Sequence, residues 1–292
     1  MTPLDRCCRA ALGGLVLCAT ASPVLVGSAA AAPAAPANVA PLIAHEAVYD
    51  LKLAQSHKMS LQSVRGRIVY EFTGSACAGY TTQVRQVTEM DNGEGALSIN
   101  DLRSKTWEDS KARRFKFTST NLVNEKPAVA VDGEARRDDK GIKVVLKRPV
   151  EKTFRLDPAT VFPTEQLNRV IAAAREGKRI VELPVFDGSD NGEKVYNTLA
   201  VIGDVIPPSV QTTDAASGQP ALNSVPRWHV RVSYFDQVSD NAHSGEQTPA
   251  YAIAFEIYEN GISRALTLDY TDFAIAGTMS TLELKEPEKC KK

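Results

Sequence analysis

Two cysteines are the residues of this chain whose type and spacing point most directly to chemistry. Cys7, Cys8 and Cys18 lie in an N-terminal leader, which leaves Cys77 and Cys290 for the folded region. An even number of cysteines in an exported chain usually forms disulfides, so we predict a Cys77–Cys290 bond between the two ends of the fold. Closing a loop of about 200 residues destabilises the unfolded state by roughly 5 kcal/mol. The alternative is two free thiols that never meet.

Small residues surround Cys77 in GSACAGY (residues 74–80), as they would surround a nucleophile in a tight turn. A reactive thiol needs a base or a cation nearby to lower its pKa, and no histidine adjoins Cys77 in sequence. The chain also contains no G-x-S-x-G elbow and no phosphate-binding glycine loop. We therefore predict that the protein is not an enzyme, has no catalytic residues and uses no cofactor.

The closest match to a metal site is DGSDNG, from Asp187 to Gly192. Its oxygen-bearing residues and its glycine match the opening of a calcium loop, but Thr198 stands where such a loop carries its last glutamate ligand. We predict a β-turn without metal and leave weak calcium binding open. The four histidines are too scattered along the sequence to form a zinc site; they are His45, His57, His229 and His243.

The N-terminus has the pattern of a secretory signal peptide. Arg6 and Arg9 precede an apolar stretch, and small residues follow up to Ala32. We predict a signal peptide over residues 1–32, cleaved near Ala30–Ala32, an Ala/Pro-rich tether over 33–43 and a single domain over 44–292. A lipid anchor at Cys18 is the alternative, although Leu17 occupies the position where a small residue is expected.

Apolar and polar residues alternate along most of the chain from His45 onward, which is typical of antiparallel strands with one covered face. Turn residues separate these segments, and Asn260-Gly261 predicts a type I′ hairpin. We predict an all-β, mainly antiparallel fold of about thirteen or fourteen strands, as a barrel or a sheet coiled on itself. The alternating segments are residues 45–53, 68–72, 115–117, 142–146, 228–234, 251–257 and 266–270.

One amphipathic helix interrupts the strands. Pro163 begins it, Glu176 ends it and Gly177 follows as a C-terminal cap. Its apolar stripe must pack on another apolar surface, either as a plug at one end of the sheet or as a mobile lid over a cavity. The stripe consists of Leu167, Val170, Ile171 and Ala174. Residues 206–226 lack any periodicity and predict a long surface loop.

Composition excludes one class of partner. The chain has 34 basic and 35 acidic residues and a formal net charge of −1. Nucleic-acid-binding proteins present clustered positive charge, so we expect no nucleic-acid partner.

A series of short segments is spread over essentially the whole predicted exported chain. The segments are HEAVYDL (45–51), GSACAGYT (74–81), FPTE (162–165), VFDGS (185–189), GEKVY (192–196), SYFD (233–236), YENGI (258–262), LDYTDF (268–273) and Cys290. In this order and spacing they resemble the EipB family of cell-envelope integrity proteins. One departure is Thr271, where the family pattern leads us to expect glycine.

The resemblance implies a periplasmic protein whose strands form an open, spiral-like barrel with one helix against it. It also implies a disulfide between Cys77 and Cys290. The implied role is to keep the cell envelope intact under stress, with no known catalytic activity.

We therefore expect a non-catalytic periplasmic factor that binds another periplasmic or envelope protein, since an open spiral leaves a sheet edge that can pair with a peptide strand. The alternative is a carrier that holds a lipid or acyl chain inside the barrel. That hypothesis predicts a void beside the inward residues Phe115/Phe117 and Ile253/Phe255, and a tightly filled interior would count against it. A hydrolase of cell-wall polymer is the weakest hypothesis, because no catalytic group can be named for it.

Overall fold

The fold is one antiparallel sheet of fourteen strands. The computed structural model describes residues 41–56, 61–93, 95, 97–237 and 247–290. The predicted signal peptide and most of the predicted tether lie outside these ranges, as do His57 and His243. The strands are β1 (His45–Ser56), β2 (Ser63–Ser75), β3 (Gly79–Asp91), β4 (Leu97–Glu108), β5 (Arg114–Val123), β6 (Lys126–Asp138), β7 (Gly141–Arg148), β8 (Lys152–Leu156), β9 (Ile180–Val185), β10 (Tyr196–Ile206), β11 (Arg227–Asp236), β12 (Tyr251–Tyr258), β13 (Ser263–Asp269) and β14 (Phe273–Leu284).

The strand order shows that the sheet does not close on itself. The order runs from β8 through β1, then from β14 through β9, so β1 and β14 pair in the middle. In the described chain β8 and β9 are the two edges, and they do not pair with each other. Val161 approaches the end of β9 through a single parallel bridge with Val185. This arrangement confirms the predicted open, spiral-like barrel.

Alternation of residue types decides which face of the sheet is covered. In β7, Ile142, Val144 and Leu146 are buried, while Lys143 and Lys147 are exposed. Burying each such aliphatic side chain contributes roughly 1.5–3 kcal/mol. The buried apolar side chains therefore share one face of the sheet, which we call the inner face.

The inner face is packed by three apolar clusters. The first joins β1, β2, β13 and β14, and includes Tyr49 and Met279. The second lies between the helix and β10–β12, and includes Ile171 and Trp228. The third covers β5–β7 with residues from the β8–helix and β9–β10 connections, and includes Phe115, Phe162 and Phe186.

Helix α1 (Pro163–Arg175) is the one α-helix of the described residues. It ends in a Schellman arrangement, because Gly177 has a φ of 73° and the N–H groups of Gly177 and Lys178 donate to Ala174 and Ala173. Its predicted stripe packs on β10–β12 in the second cluster. The helix thus plugs the inner face.

The turn between β12 and β13 differs from the predicted type I′ hairpin. Gly261 has a φ of 90° but Asn260 does not have a positive φ, and the Gly261 N–H donates to the Tyr258 carbonyl over 2.9 Å. These features describe a type I turn followed by a left-handed glycine. Asn260 is held in place because its Oδ1 accepts the Ile262 N–H.

The predicted surface loop over residues 206–226 is wrong for its second half. Two 3₁₀ turns, Ala215–Gly218 and Pro220–Leu222, bury Ala216 and Leu222 in the first apolar cluster. Asp214, just before them, pairs with Arg264 over 2.7 Å. A segment without periodicity therefore packs through a few isolated side chains.

The C-terminal segment crosses the outside of the sheet and is joined to it covalently. Cys77 and Cys290 form a disulfide across 213 positions of sequence, with 5.6 Å between their Cα atoms. On the way, the Lys285 Nζ contacts Glu46 on β1 at 2.8 Å and Glu71 on β2 at 2.6 Å. The bond thus connects the segment after β14 to the β2–β3 turn, past β1, which lies between β14 and β2 in the sheet.

No helix of the described residues is long and apolar enough to cross a membrane.

Candidate functional site

The inner face of the sheet borders a cavity of about 490 Å³, which we call the central cavity. Strands from both halves of the chain contribute to its wall, together with the connection between β9 and β10. The lining residues are Gln86, Leu102, Ser119, Asn121, Val129, Ser189, Asp190, Tyr196, Tyr251, Ala252, Ile253, Leu268 and Tyr270.

A second space of about 320 Å³ adjoins the central cavity, and we call it the recess. The two spaces share Leu102, Ser119 and Ser189 in their walls. Pro163 and Leu167 of helix α1 also line the recess. The helix therefore forms part of the floor of the interior.

Polar residues in the wall of the central cavity are mostly turned into the protein. Ser189 forms a side-chain hydrogen bond with Asp187, which lowers the pKa of that carboxyl against the larger effect of burial. Asn121 Oδ1 is buried and has no hydrogen bond to any described residue, and an unsatisfied buried atom of this kind costs about 1–3 kcal/mol.

Three tyrosines form a packed cluster at one side of the central cavity. Tyr234 and Tyr251 stack with ring centroids 4.4 Å apart, and Tyr196 meets both edge-on at 5.8 and 5.5 Å. Burial raises the pKa of the Tyr251 and Tyr234 hydroxyls well above the ordinary value. These phenols therefore stay neutral, and Tyr251 and Tyr196 line the cavity with aromatic surface.

Asp190 is the acidic residue in the cavity wall, and it is shared between two partners. Its Oδ2 accepts the Tyr196 hydroxyl at 2.7 Å and lies 3.1 Å from Lys194 Nζ. Lys194 also contacts Asp236 at 2.8 Å. Burial and the bond to Asp190 raise the pKa of Tyr196 to about 12.

The connection that resembles a calcium loop is a turn held by its own hydrogen bonds. Asp187 Oδ1 accepts the Ser189 N–H at 2.9 Å, and Asn191 Oδ1 accepts the Glu193 N–H at 3.0 Å. Burial raises the pKa of Asp187. Across the ranges that the structure describes, no group of three His, Cys, Asp or Glu side chains is placed to hold a metal ion. Asp187 and Asp190 are therefore already engaged within the protein.

The carrier hypothesis predicts a void beside four inward residues, and the structure shows open space beside only some of them. Phe115 stacks on Phe162 at 5.0 Å and contacts Phe186 at 6.3 Å, so that end of the interior is filled. Phe117 borders the recess, Ile253 borders the central cavity, and Phe255 packs near the helix. The interior is thus hollow in its middle and solid at the Phe115 end.

The described histidines do not come together. His45 is buried between aromatic rings, its Nδ1 lies 2.8 Å from the Ile43 carbonyl, and burial lowers its pKa. His229 is exposed on β11 beside Glu256, at 3.6 Å.

The edge strand β9 is a second candidate surface. The Pro184 carbonyl faces away from β10, because it accepts the Val161 N–H. Backbone groups repeat every second residue along a strand, so those of Glu182 and Ile180 face the same way. On the outer face, Ile180 and Val201 are directly paired and are 60% and 48% exposed. Edge strand β8 instead carries Lys152 and Arg155, the usual protection of an edge.

Sequence reasoning identified the Asp187–Gly192 turn, the helix and Ile253, but not the polar atoms of the cavity. A usable pattern was present in β5, where Ser119 and Asn121 continue the inward series begun by Phe115 and Phe117. Polar residues at covered positions are unusual. They could have marked a polar interior.

Comparisons with known proteins agree with this architecture. The EipB-like family model matches residues 36–286. The chain is similar to the cell envelope integrity protein EipB of Brucella abortus (strain 2308), with 33% identity over 275 residues that cover 94% of this chain and 95% of that protein. It is also similar to the crystal structure of a β-barrel-like protein of a domain of unknown function from Brucella abortus. That comparison gives a TM-score of 0.76 and 33% identity, and covers 85% of this chain and all of the other.

Proposed function

Because the chain belongs to the EipB-like family, we propose that it is a non-catalytic periplasmic factor that supports the integrity of the cell envelope. Its Brucella abortus relative is named for that role. The fold supports a binding function: the described interior holds a cavity and the sheet has an uncovered edge, while the acidic residues nearest the cavity are engaged in internal hydrogen bonds.

The leading mode of action is binding of another envelope protein at the β9 edge. The observation that carries it is that the backbone N–H and C=O groups of Ile180 and Glu182 point away from β10. The exposed side chains of Ile180 and Val201 lie beside them on the outer face of the sheet. An extended segment that adds to such an edge gains main-chain hydrogen bonds and packs alternate side chains on the apolar outer face. A pocket beside this edge offers a place for one such side chain, and Leu183, Leu199 and Phe235 are among its lining residues.

The test is Glu182→Pro, which removes an outward N–H without removing a bond to β10. Cells that carry this variant in place of the native protein should become sensitive to detergent and other envelope stress. The matched control, Glu182→Ala, keeps the N–H and should behave as the native protein.

A photo-crosslinking side chain at Val201 should join the protein to a single envelope partner, and the product should disappear in the Glu182→Pro background. The same probe at Val145, an exposed valine on the outer face of β7, is the control. Full stress resistance with correctly folded Glu182→Pro would contradict binding at this edge.

The central cavity favours a second candidate, a carrier of an acyl chain or lipid. A space of about 490 Å³ with the recess of about 320 Å³ beside it has the size of small-molecule sites. Native mass spectrometry of the protein taken from its own periplasm without detergent tests this. A carrier should show a discrete lipid-sized adduct. If the protein carries no small adduct, the carrier function is contradicted and binding at the β9 edge remains as the proposed mode of action.

A further inference from the structure

We propose that the outer face of strands β4–β8 binds the surface of a membrane that contains anionic phospholipids. This inference goes beyond the proposed function, because it involves neither the β9 edge nor the central cavity. It is carried by the pairing and the exposure of charged side chains on the outer face.

Positive charge is concentrated on this part of the sheet, which we call the basic face. We count with it Arg85 of β3, which binds Asp101 on β4. The whole chain has a formal net charge of −1, whereas ten cations and four carboxylates meet here. The cations are Arg85, Arg103, Lys105, Arg114, Lys116, Arg136, Lys143, Lys147, Arg148 and Arg155, and the carboxylates are Asp101, Asp132, Glu134 and Asp138.

Four of the cations form one row across adjacent strands. Arg114 of β5 is directly paired with Arg136 of β6. Arg136 is paired in turn with Lys143 of β7, and Lys143 with Arg155 of β8. Like charges in direct opposition destabilise a sheet. Anionic groups placed against this row would therefore relieve a repulsion that is built into the strand register.

The carboxylates of the basic face neutralise only part of its charge. Asp101, Asp132 and Glu134 are each shared by two cations, with N–O distances of 2.7–3.8 Å. Asp138 is bound by Arg155 at 2.7 Å. Three lysines of the face form no ion pair with any described residue; they are Lys105, Lys116 and Lys143.

The cations also extend further into solvent than the carboxylates. In the shared pairs the cationic side chains are 42–69% exposed, and the carboxylate side chains are 15–27% exposed. The unpaired lysines are exposed as well. A surface that touches the basic face therefore meets positive charge first.

Apolar groups among the cations favour a lipid surface as the partner. The Trp107 ring lies 5.5 Å from the Lys116 Nζ. Val145 is exposed between Lys143 and Lys147 on β7. Tryptophan is enriched where proteins meet the membrane interface, and surfaces that combine basic and apolar residues bind anionic membranes.

A hollow on the basic face has room for part of a lipid headgroup. Its volume is about 320 Å³, within the range of small-molecule sites. Lys105, Lys116 and Lys147 line it beside Trp107, and Asp132 and Glu134 also contribute to its wall. A phosphate that enters it can contact three lysines.

Vesicle flotation with the whole exported protein tests the inference. One set of vesicles is phosphatidylcholine alone, and the other is an equimolar mixture of phosphatidylcholine and phosphatidylglycerol. The protein should bind the anionic vesicles at least about tenfold more tightly. Binding should fall as salt is raised from about 0.05 to about 0.5 M, because salt screens the attraction.

Two triple variants with the same net charge locate the binding. Lys105→Gln/Lys116→Gln/Lys143→Gln breaks no ion pair between described residues and should weaken binding to anionic vesicles by about a hundredfold, or roughly fivefold for each lysine. The matched control removes three exposed lysines outside the basic face and should bind as the native protein does. The control is Lys52→Gln/Lys178→Gln/Lys289→Gln.

Tryptophan emission of the native protein gives a second measurement. Trp107 and Trp228 are the two tryptophans of the chain, and Trp228 is buried. Anionic vesicles should shift the emission to shorter wavelength, and Trp107→Phe should abolish the shift.

Three outcomes would overturn the inference. The first is failure to bind anionic vesicles, and the second is equal binding to both vesicle compositions. The third is equal weakening by the two triple variants, which would show attraction by overall charge without a role for the basic face.

Discussion

At the scale of single residues, the most consequential side chain outside the cavity is Glu108 at the end of β4. It is buried, and its carboxylate accepts the N–H groups of Thr164 at 2.8 Å and Glu165 at 3.0 Å. Helices usually cap these groups with a side chain of their own N-terminus, but Phe162 at that position cannot. A carboxylate from a distant strand thus fixes the start of helix α1.

This capping arrangement predicts a pH-dependent stability. Burial raises the pKa of Glu108 from 4.5 to about 7, although the two N–H donors oppose the shift. A folded-state pKa above the unfolded one means that the contribution of Glu108 is fully present below pH 4.5 and is lost as the pH rises through about 7. Relative to Glu108→Gln, the native protein should lose up to about 3 kcal/mol of unfolding free energy over that window.

Urea unfolding of the native protein and Glu108→Gln at several pH values checks this. Glu151→Gln, at an exposed glutamate, is the control and should follow the native curve. Parallel curves for the native protein and Glu108→Gln across the window would show that Glu108 ionises normally in the fold.

The sequence was sufficient to predict the disulfide, whose two partners are recognisable by residue type. It was not sufficient for side chains whose role depends on neighbours that are distant in sequence. The cysteine pair was predictable because only two cysteines, Cys77 and Cys290, follow the predicted leader. Glu108 was not, because nothing near it in sequence shows that Thr164 and Glu165 lie against it. The same holds for Asn121, whose unpaired oxygen exists only once the other half of the chain encloses it.

At the scale of elements, strands and the helix were predictable because their patterns are local. The helix begins at Pro163 as expected, with Gly177 as its cap. The turn at Asn260 was not, because the side-chain bond to the Ile262 N–H overrides the usual preference of Asn-Gly for a type I′ turn. The ends of the helix, which follow from backbone preferences of proline and glycine, were thus easier to predict than a turn whose conformation depends on one side-chain hydrogen bond.

The segment before β11 shows the limit of composition as a guide. Asp214 and Arg264 form a buried ion pair, and Arg264 also contacts Glu256. Glu256 in turn pairs with Arg227, with 2.6 Å between Oε2 and Nε. Burial would raise the pKa of Glu256, but the hydrogen bonds from the two arginines lower it. The segment whose composition predicts a surface loop is thus held against β11–β13 by this network of ion pairs, in addition to the burial of Ala216 and Leu222.

At the scale of the whole molecule, the strand count and the open sheet were predictable, but the interior was not. Period-two alternation identifies which side of each strand is covered, and says nothing about whether opposite walls meet. The filled end around Phe115 and the hollow middle beside Ile253 have similar inward sequences. Their difference arises from which connections fold inward.

The disulfide gives a prediction at this scale. Cys77→Ser should lower the unfolding free energy by up to about 5 kcal/mol, the chain-entropy value for a loop of this length. Thermal and urea unfolding of the purified variant measure the loss. Cys290→Ser and the double variant should match it, because each removes the same bond and the effects are therefore not additive. A melting temperature unchanged by Cys77→Ser would contradict a stabilising role for the bond.

The pairing of β1 with β14 also constrains how the protein is made. A ribosome produces β1 first and β14 last, so the hydrogen-bonding side of β1 that faces β14 stays open until nearly the whole chain has been synthesised. Contacts so distant in sequence form slowly, and an open strand edge invites pairing with other chains. The N-terminal half therefore presents an open strand edge until β14 has been made, and the disulfide can form only after Cys290, which follows β14, has been added.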